Sequence, residues 1–171
     1  MHDFEQWLTG GHPNSLGNTV EVVETVLANP SRFAELFSTY FSTDEVVRLR
    51  VSSAMKRIAA VNKALLIPYI DRFLDDISEI DQPSTQWTLA QLFELLADDM
   101  SVQQKERALQ IMQRNLSNAR DWIVLNRTMI TLGKWAEENP NLRQWLIPHL
   151  DRLSMDDRKS VARTASRFLH R

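Results

Sequence analysis

The octapeptide LIPYIDRF at 66–73 returns as LIPHLDRL at 146–153, with Leu, Ile, Pro, Asp and Arg coinciding at five of eight positions across a shift of 80 residues. Internal repetition constrains a fold more than local propensity does, because a repeated unit has to bury its apolar face on its own neighbours. A drifted copy lies between the two. Setting Ile70, Arg72 and Leu74 against Met112, Arg114 and Leu116 gives a shift of 42, which leaves 38 to Leu150. The second halves of the units superpose as well. Val51, Ala54, Met55, Ile58 and Ala59 map at a shift of 38 to Leu89, Leu92, Phe93, Leu96 and Ala97, and then at 39 to Thr128, Thr131, Leu132, Trp135 and Ala136. Steps of three and four put each set on one helical face, so each unit reads as two helices joined by a turn.

The rest of the chain agrees with that period. Leu16, Val20, Val23 and Leu27 share one face of a helix over 16–28, which Asn29-Pro30 ends. Phe33, Leu36, Phe37 and Tyr40 mark the next helix, and Thr43-Asp44 offers N-cap chemistry for the one after it. No stretch alternates with period two in β-branched residues, so no sheet is expected. Three of the four glycines (Gly10, Gly11, Gly17) fall before residue 18, which makes 1–15 a loose segment in which Phe4, Trp7 and Leu8 form one docking turn. The expectation is one all-α domain over 1–171, with a cap helix at 16–28 and hairpins at 31–61, 62–99, 101–138 and 141–170.

This pattern resembles the HEAT-repeat, or armadillo-like, α-solenoids: a first helix with an internal proline (Pro68, Pro148), a turn, then a second helix opening with Asp and Val-Arg (Asp44, Val47, Arg48). The resemblance covers about 30–171 and implies a right-handed α-α superhelix whose second helices line a concave surface. It also implies a ladder of turn aspartates and helix-opening arginines between repeats, for which only Asp44 and Arg48 match. Gln86 and Leu125 occupy the arginine position in later units, and the third unit lacks the proline.

Composition narrows the chemistry. Without cysteine there is no disulfide, thiolate metal site or cysteine nucleophile. No HExxH, GxSxG, Walker or GxGxxG motif occurs, and no cofactor or metal is expected. His149 stands where the other proline-bearing helix has a tyrosine and reads as a packing or surface residue. The carboxylate pairs Asp75-Asp76, Asp98-Asp99 and Asp156-Asp157 fall near helix ends, where Asp serves capping. The opening MHDFEQW lacks a secretory pattern and no apolar run is long enough to cross a bilayer, so a cytoplasmic location is expected, with no membrane partner.

Charge is distributed unevenly beneath a net of −2. Residues 1–100 hold 7 Lys/Arg and 15 Asp/Glu, whereas residues 101–171 hold 13 and 7. Lys159, Arg163, Arg167 and Arg171 recur every four residues on the last helix and form a basic stripe opposite Ala162, Ala165, Phe168 and Leu169. That stripe is either a solvated cap favoured by the helix dipole or an edge that binds anions or nucleic acid. The helix over 120–138 is apolar nearly all round, with Trp122, Leu125, Met129 and Gly133 forming a second stripe and Arg127 and Lys134 beside it.

Trp122 and Asn126 are similar to the Trp/Asp pair, four residues apart, of the HEAT-like alkylpurine DNA glycosylases, with Asn in the carboxylate's place; Arg163-Thr164-Ala165 is similar to an Arg-Thr-Ala of that family. Losing the carboxylate removes the group that would stabilise a cationic sugar. The leading expectation is a non-enzymatic scaffold that binds a protein or peptide through Arg48, Trp122, Asn126, Arg127 and Lys134. The competing one is a nucleic-acid-binding relative of those glycosylases using Lys159, Arg163, Arg167 and Arg171.

Overall fold

The computed structural model describes residues 3–171 and, among them, consists of helices and turns with no strand. It divides into two compact units, the first ending at Thr88 and the second beginning at Leu89. Met1 and His2, which belong to the segment expected to be loose, lie outside the described residues.

The first unit contains α1 (Phe4–Leu8), α2 (Thr19–Ala28), α3 (Phe33–Ser38), α4 (Glu45–Asn62) and α5 (Ile70–Asp75), and α6 (Pro83–Leu96) begins in it. Helix α4 starts where it does because Asp44 Oδ1 accepts the Val46 N–H at 2.8 Å, satisfying one of the donors a helix leaves unpaired at its start. Its stripe of Val47, Val51, Ala54, Met55 and Ile58 is fully buried. Phe33, Leu36, Phe37 and Tyr40 are buried too, and the Phe37 ring lies 4.8 Å from Tyr69 and 5.2 Å from Phe73.

On that same buried stripe sits a cation. Arg50 is 1% exposed, and no carboxylate among the described residues pairs with it. Its guanidinium instead donates to main-chain carbonyls of the opening segment: Nη1 to Leu8 at 2.7 Å and Gly10 at 2.6 Å, Nη2 to His12 at 3.3 Å, and Nε to Ser15 at 3.3 Å. Positions 8–15 are therefore pinned rather than loose. Gly17 makes the wrapping possible, since a Cβ there would stand 2.8 Å from Arg50 Cζ. The docking turn is held as well. Phe4 and Leu8 are fully buried, the Phe4 N–H donates to Glu35 Oε1 at 3.1 Å, and the Arg32 guanidinium lies 3.9 Å from the Phe4 ring centroid. The hydrogen bond from Arg32 holds the Glu35 carboxyl below its ordinary range, so the acceptor stays ionised near neutral pH.

Helix α2 departs from its expected face. It buries Thr19, Val22, Val23 and Val26, and leaves Leu16 and Val20 exposed. Gly17, at φ +51°, keeps the right-handed helix from reaching back to Leu16, which therefore lies outside it. The two LIP motifs also differ. Pro68 lies in a 3-10 turn (Ile67–Tyr69) ahead of the short α5, while Pro148 lies inside a continuous helix of the second unit.

The second unit holds the remainder of α6 with α7 (Val102–Asn118), α8 (Trp122–Trp135), α9 (Pro140–Ser154) and α10 (Lys159–Leu169). Helix α7 opens on a capping box, with Ser101 Oγ accepting the Gln104 N–H at 3.1 Å and Gln104 Oε1 accepting the Ser101 N–H at 2.9 Å. Helix α9 starts with Pro140 in its first turn, behind an Asn139 cap that accepts the Leu142 N–H at 3.0 Å. The stripe Leu89, Leu92, Phe93 and Leu96 of α6 is buried, as are Thr128, Thr131, Leu132 and Ala136 at the matching repeat positions. Thr131 donates to the Ala90 carbonyl at 2.8 Å, which ties α8 to α6. Between α8 and α10, Phe168 packs where Gly133 has no side chain.

Two consequences can be measured. Replacing Arg50 by Met strands four carbonyls at the core edge, and urea unfolding should show a loss of about 3 kcal/mol, with faster hydrogen exchange at the amides of 4–8. A Cβ on Gly133 would fall 2.3 Å from Phe168 Cδ1, so Gly133→Ala should cost about 1–3 kcal/mol. Phe168→Leu in that background should cost clearly less than it does in the natural chain, because it relieves the clash that the alanine creates.

Candidate functional site

Three adjacent helices of the second unit, the end of α6 with α8 and α10, carry most of the residues singled out by the sequence. Helix α10 is strongly amphipathic: Val161, Ala165 and Phe168 are buried against α8 and α9, while Lys159, Arg163, Arg167 and Arg171 are exposed. Helix α8 is buried almost all round, as Val124, Leu125, Thr128, Met129, Thr131, Leu132 and Gly133 have neighbours on both sides. Its exposed positions are Trp122, at 49%, Arg127 and Lys134. Trp122 occupies the first position of α8 because Asp121 Oδ1 caps the helix by accepting the N–H groups of Ile123 at 2.8 Å and Val124 at 3.0 Å.

The turn before α10 is held by charge. Asp156 takes both arms of Arg158, with Nε on Oδ1 and Nη2 on Oδ2 at 2.8 Å each, and Oδ1 also accepts the Arg158 N–H at 2.9 Å. Arg158 further donates to the Arg120 carbonyl, which joins this turn to the one that precedes α8. The Arg158 hydrogen bonds lower the Asp156 carboxyl from 3.8 to about 2. The starts of α8 and α10 are thereby brought side by side, where Asn126 Nδ2 donates to Ser160 Oγ at 3.3 Å.

The candidate cations are in different states. Arg48 lies in the first unit, half-buried, donating from Nε to Gln82 Oε1 at 2.7 Å and from Nη1 to the Ser42 carbonyl at 2.7 Å. Gln82 in turn donates to the Glu45 carbonyl at 3.0 Å, so Arg48 bridges the turns before α4 and α6. Lys134 is paired with Glu94. Arg171 pairs with Glu137 at 3.3 Å, and both it and Arg167 lie over the Phe168 ring, at 5.3 and 4.7 Å. Arg127, Lys159 and Arg163 are exposed and form no ion pair among the described residues. The open candidates on α8 and α10 are thus Trp122, Arg127, Lys159 and Arg163, on two helices that the Asn126–Ser160 contact joins.

His149 stacks on Trp145 with ring centroids 4.2 Å apart, and burial, with the Arg152 charge adding to it, lowers its pKa. No group of three or more His, Asp or Glu among the described residues could hold a metal ion, and no helix among them is long and apolar enough to cross a membrane. No protein-family model matches the chain, and a search of curated proteins found no match.

Sequence reasoning passed over Arg50, although a signal was present. It falls three residues after Val47 and one before Val51, a cation on an otherwise apolar face. It also passed over the cation pairings of Lys134 and Arg171, because Glu94 and Glu137 lie 40 and 34 residues away.

The Asp156 shift carries a pH dependence. Because the folded value lies below the ordinary one, the turn's stabilisation is present above about pH 4 and is lost as pH falls toward 2. A carboxyl NMR titration should place the Asp156 midpoint near 2, and Arg158→Ala should return it toward 3.8.

Proposed function

We propose that the chain is a non-enzymatic, HEAT-like α-solenoid that binds an acidic segment of a protein partner across α8 and α10. What supports the repeat reading is the burial of equivalent stripes on α4, α6 and α8. What carries the binding reading is one observation: Arg127, Lys159 and Arg163 stand exposed with no ion pair among the described residues, on the two helices of which one also exposes the indole of Trp122. An aromatic anchor among open cations suits a segment that combines carboxylates with an apolar residue. Since α8 and α10 are fixed to each other by Gly133, Phe168 and the Asp156–Arg158 turn, the face is preformed and little ordering entropy is lost on this side.

A nucleic-acid backbone is the second reading, favoured by Lys159 and Arg163 standing one helical turn apart on an exposed helix. The Asn126 amide, in the place where the resembling glycosylases have a carboxylate, is bonded to Ser160, which supports binding rather than base release.

Fluorescence anisotropy at low salt separates the two. A labelled peptide of alternating Glu and Leu should bind more tightly than single- or double-stranded DNA of equal charge. Changing Arg127, Lys159 and Arg163 together to Ala should weaken it about tenfold, at roughly 0.5 kcal/mol for each exposed charge. Tighter DNA binding with a steep salt slope would transfer the function to the second reading. Binding of neither probe, or no change in the triple variant, would remove this face from consideration.

A further inference from the structure

The second unit carries one cleft twice, at matching positions, and the two copies differ in what fills them. The smaller, about 190 Å³, is lined by Gly133, Ala136 and Glu137 at the end of α8, by Arg143 of α9, and by Phe168 and Arg171. The larger, about 590 Å³, has Glu94, Ala97 and Asp98 at the end of α6, Lys105 of α7, and Lys134 and Trp135 of α8 in its lining. Glu94, Ala97 and Asp98 precede Gly133, Ala136 and Glu137 by 39 residues, the shift at which the buried stripes of α6 and α8 superpose. Lys105 precedes Arg143 by 38, as the start of α7 precedes that of α9. A guanidinium spans one wall of the smaller copy. Arg143 reaches from α9 to the end of α10, where Nη1 donates to the Phe168 carbonyl at 2.6 Å and Nη2 to the Leu169 carbonyl at 3.2 Å, groups that a helix leaves unpaired. Lys105 makes no such crossing: it is exposed, and its side chain forms no ion pair or hydrogen bond among the described residues. The larger copy is also unbalanced in charge. Its lining holds four carboxylates, of Glu94, Asp98, Glu106 and Glu138, against Lys105 and Lys134. Because Lys134 is paired with Glu94, the exposed Asp98, Glu106 and Glu138, which form no ion pair among the described residues, are set against Lys105 alone.

We propose that the larger cleft docks an arginine side chain of a partner protein, carried in a segment of alternating basic and apolar residues. Two observations name this occupant: the excess of open carboxylates, and the guanidinium that the molecule itself places at the matching cleft. Arginine suits the lining better than lysine, because its planar fork pairs with a carboxylate through two hydrogen bonds and its flat face stacks on an indole. The half-buried Trp135 and Leu109 supply apolar surface for the stem, and Val102, 79% exposed, supplies more for the arginine's apolar neighbour. The site lies at the opposite end of α8 from Trp122 and does not depend on the face proposed to take an acidic segment.

Fluorescence anisotropy on the full chain at low salt tests this with a labelled peptide of alternating Arg and Leu, and with versions in which Lys or citrulline replaces Arg. The Arg peptide should bind about threefold more tightly than the Lys peptide and at least tenfold more tightly than the citrulline one. Asp98→Asn with Glu138→Gln, both at exposed positions, should weaken the Arg peptide about fivefold. Lys105→Ala should tighten it by removing the open cation. Lys105→Arg, which gives α7 the residue that α9 has, should weaken it by spanning the cleft from within. The double variant should not weaken an alternating Glu and Leu peptide, so failure here is distinguishable from failure of the acidic-segment reading. Equal binding of the Arg peptide and either substituted version, no binding at millimolar concentration, or an Arg-peptide affinity unaltered in the Asp98/Glu138 variant would overturn the proposal.

Discussion

A guanidinium placed on the apolar face of α4 has to find acceptors without leaving the core, and the first unit is organised around that requirement. An unsolvated buried cation costs several kcal/mol, so Arg50 gathers the carbonyls of Leu8, Gly10, His12 and Ser15 around itself. Carbonyls spread over eight residues converge on one group only if the chain curls. The curl is what places Phe4 and Leu8 in the core and starts α2 at Thr19. Gly17 belongs to the same device, because any side chain there would occupy the space of the guanidinium.

The second unit solves a different problem, that of packing α8 among α6, α7, α9 and α10. Removing a side chain at Gly133 lets Phe168 approach, and the Asp156–Arg158 turn orients α10 before it enters that contact. Once Val161, Ala165 and Phe168 are buried, the cations at four-residue spacing have only water to face. Their fates then diverge with what lies opposite. Arg171 meets Glu137 and the Phe168 ring, whereas Lys159 and Arg163 meet no acid. The open charge is therefore a remainder left by packing.

The repeated octapeptides show where local sequence stops being sufficient. Leu, Ile, Pro, Asp and Arg coincide in both copies, but only the second is continuous α-helix. Pro148 follows two turns of helix already begun at Pro140 and capped by Asn139, so the loss of one N–H is tolerated. Pro68 follows the end of α4 at Asn62, where φ is −148°, and a single 3-10 turn; with no helix to extend, it opens another 3-10 turn instead. The candidate face was legible to the same degree. The basic stripe and Trp122 are readable from spacing, while the engagement of Arg48, Lys134 and Arg171 depends on partners 34 to 40 residues away.

What the sequence by itself determined is the helical character of the chain, the buried stripes of α4, α6 and α8, the Asp44 cap and the amphipathy of α10. Each of these follows from interactions among residues three or four apart, which periodicity reports directly. Only the tertiary structure decided which cations remain open, which face of α2 is buried, and that the glycine-rich opening segment is held rather than loose. Those outcomes rest on single long-range contacts, of Arg50 with four carbonyls and of Gly133 with Phe168, and a contact between distant positions leaves no period in the sequence.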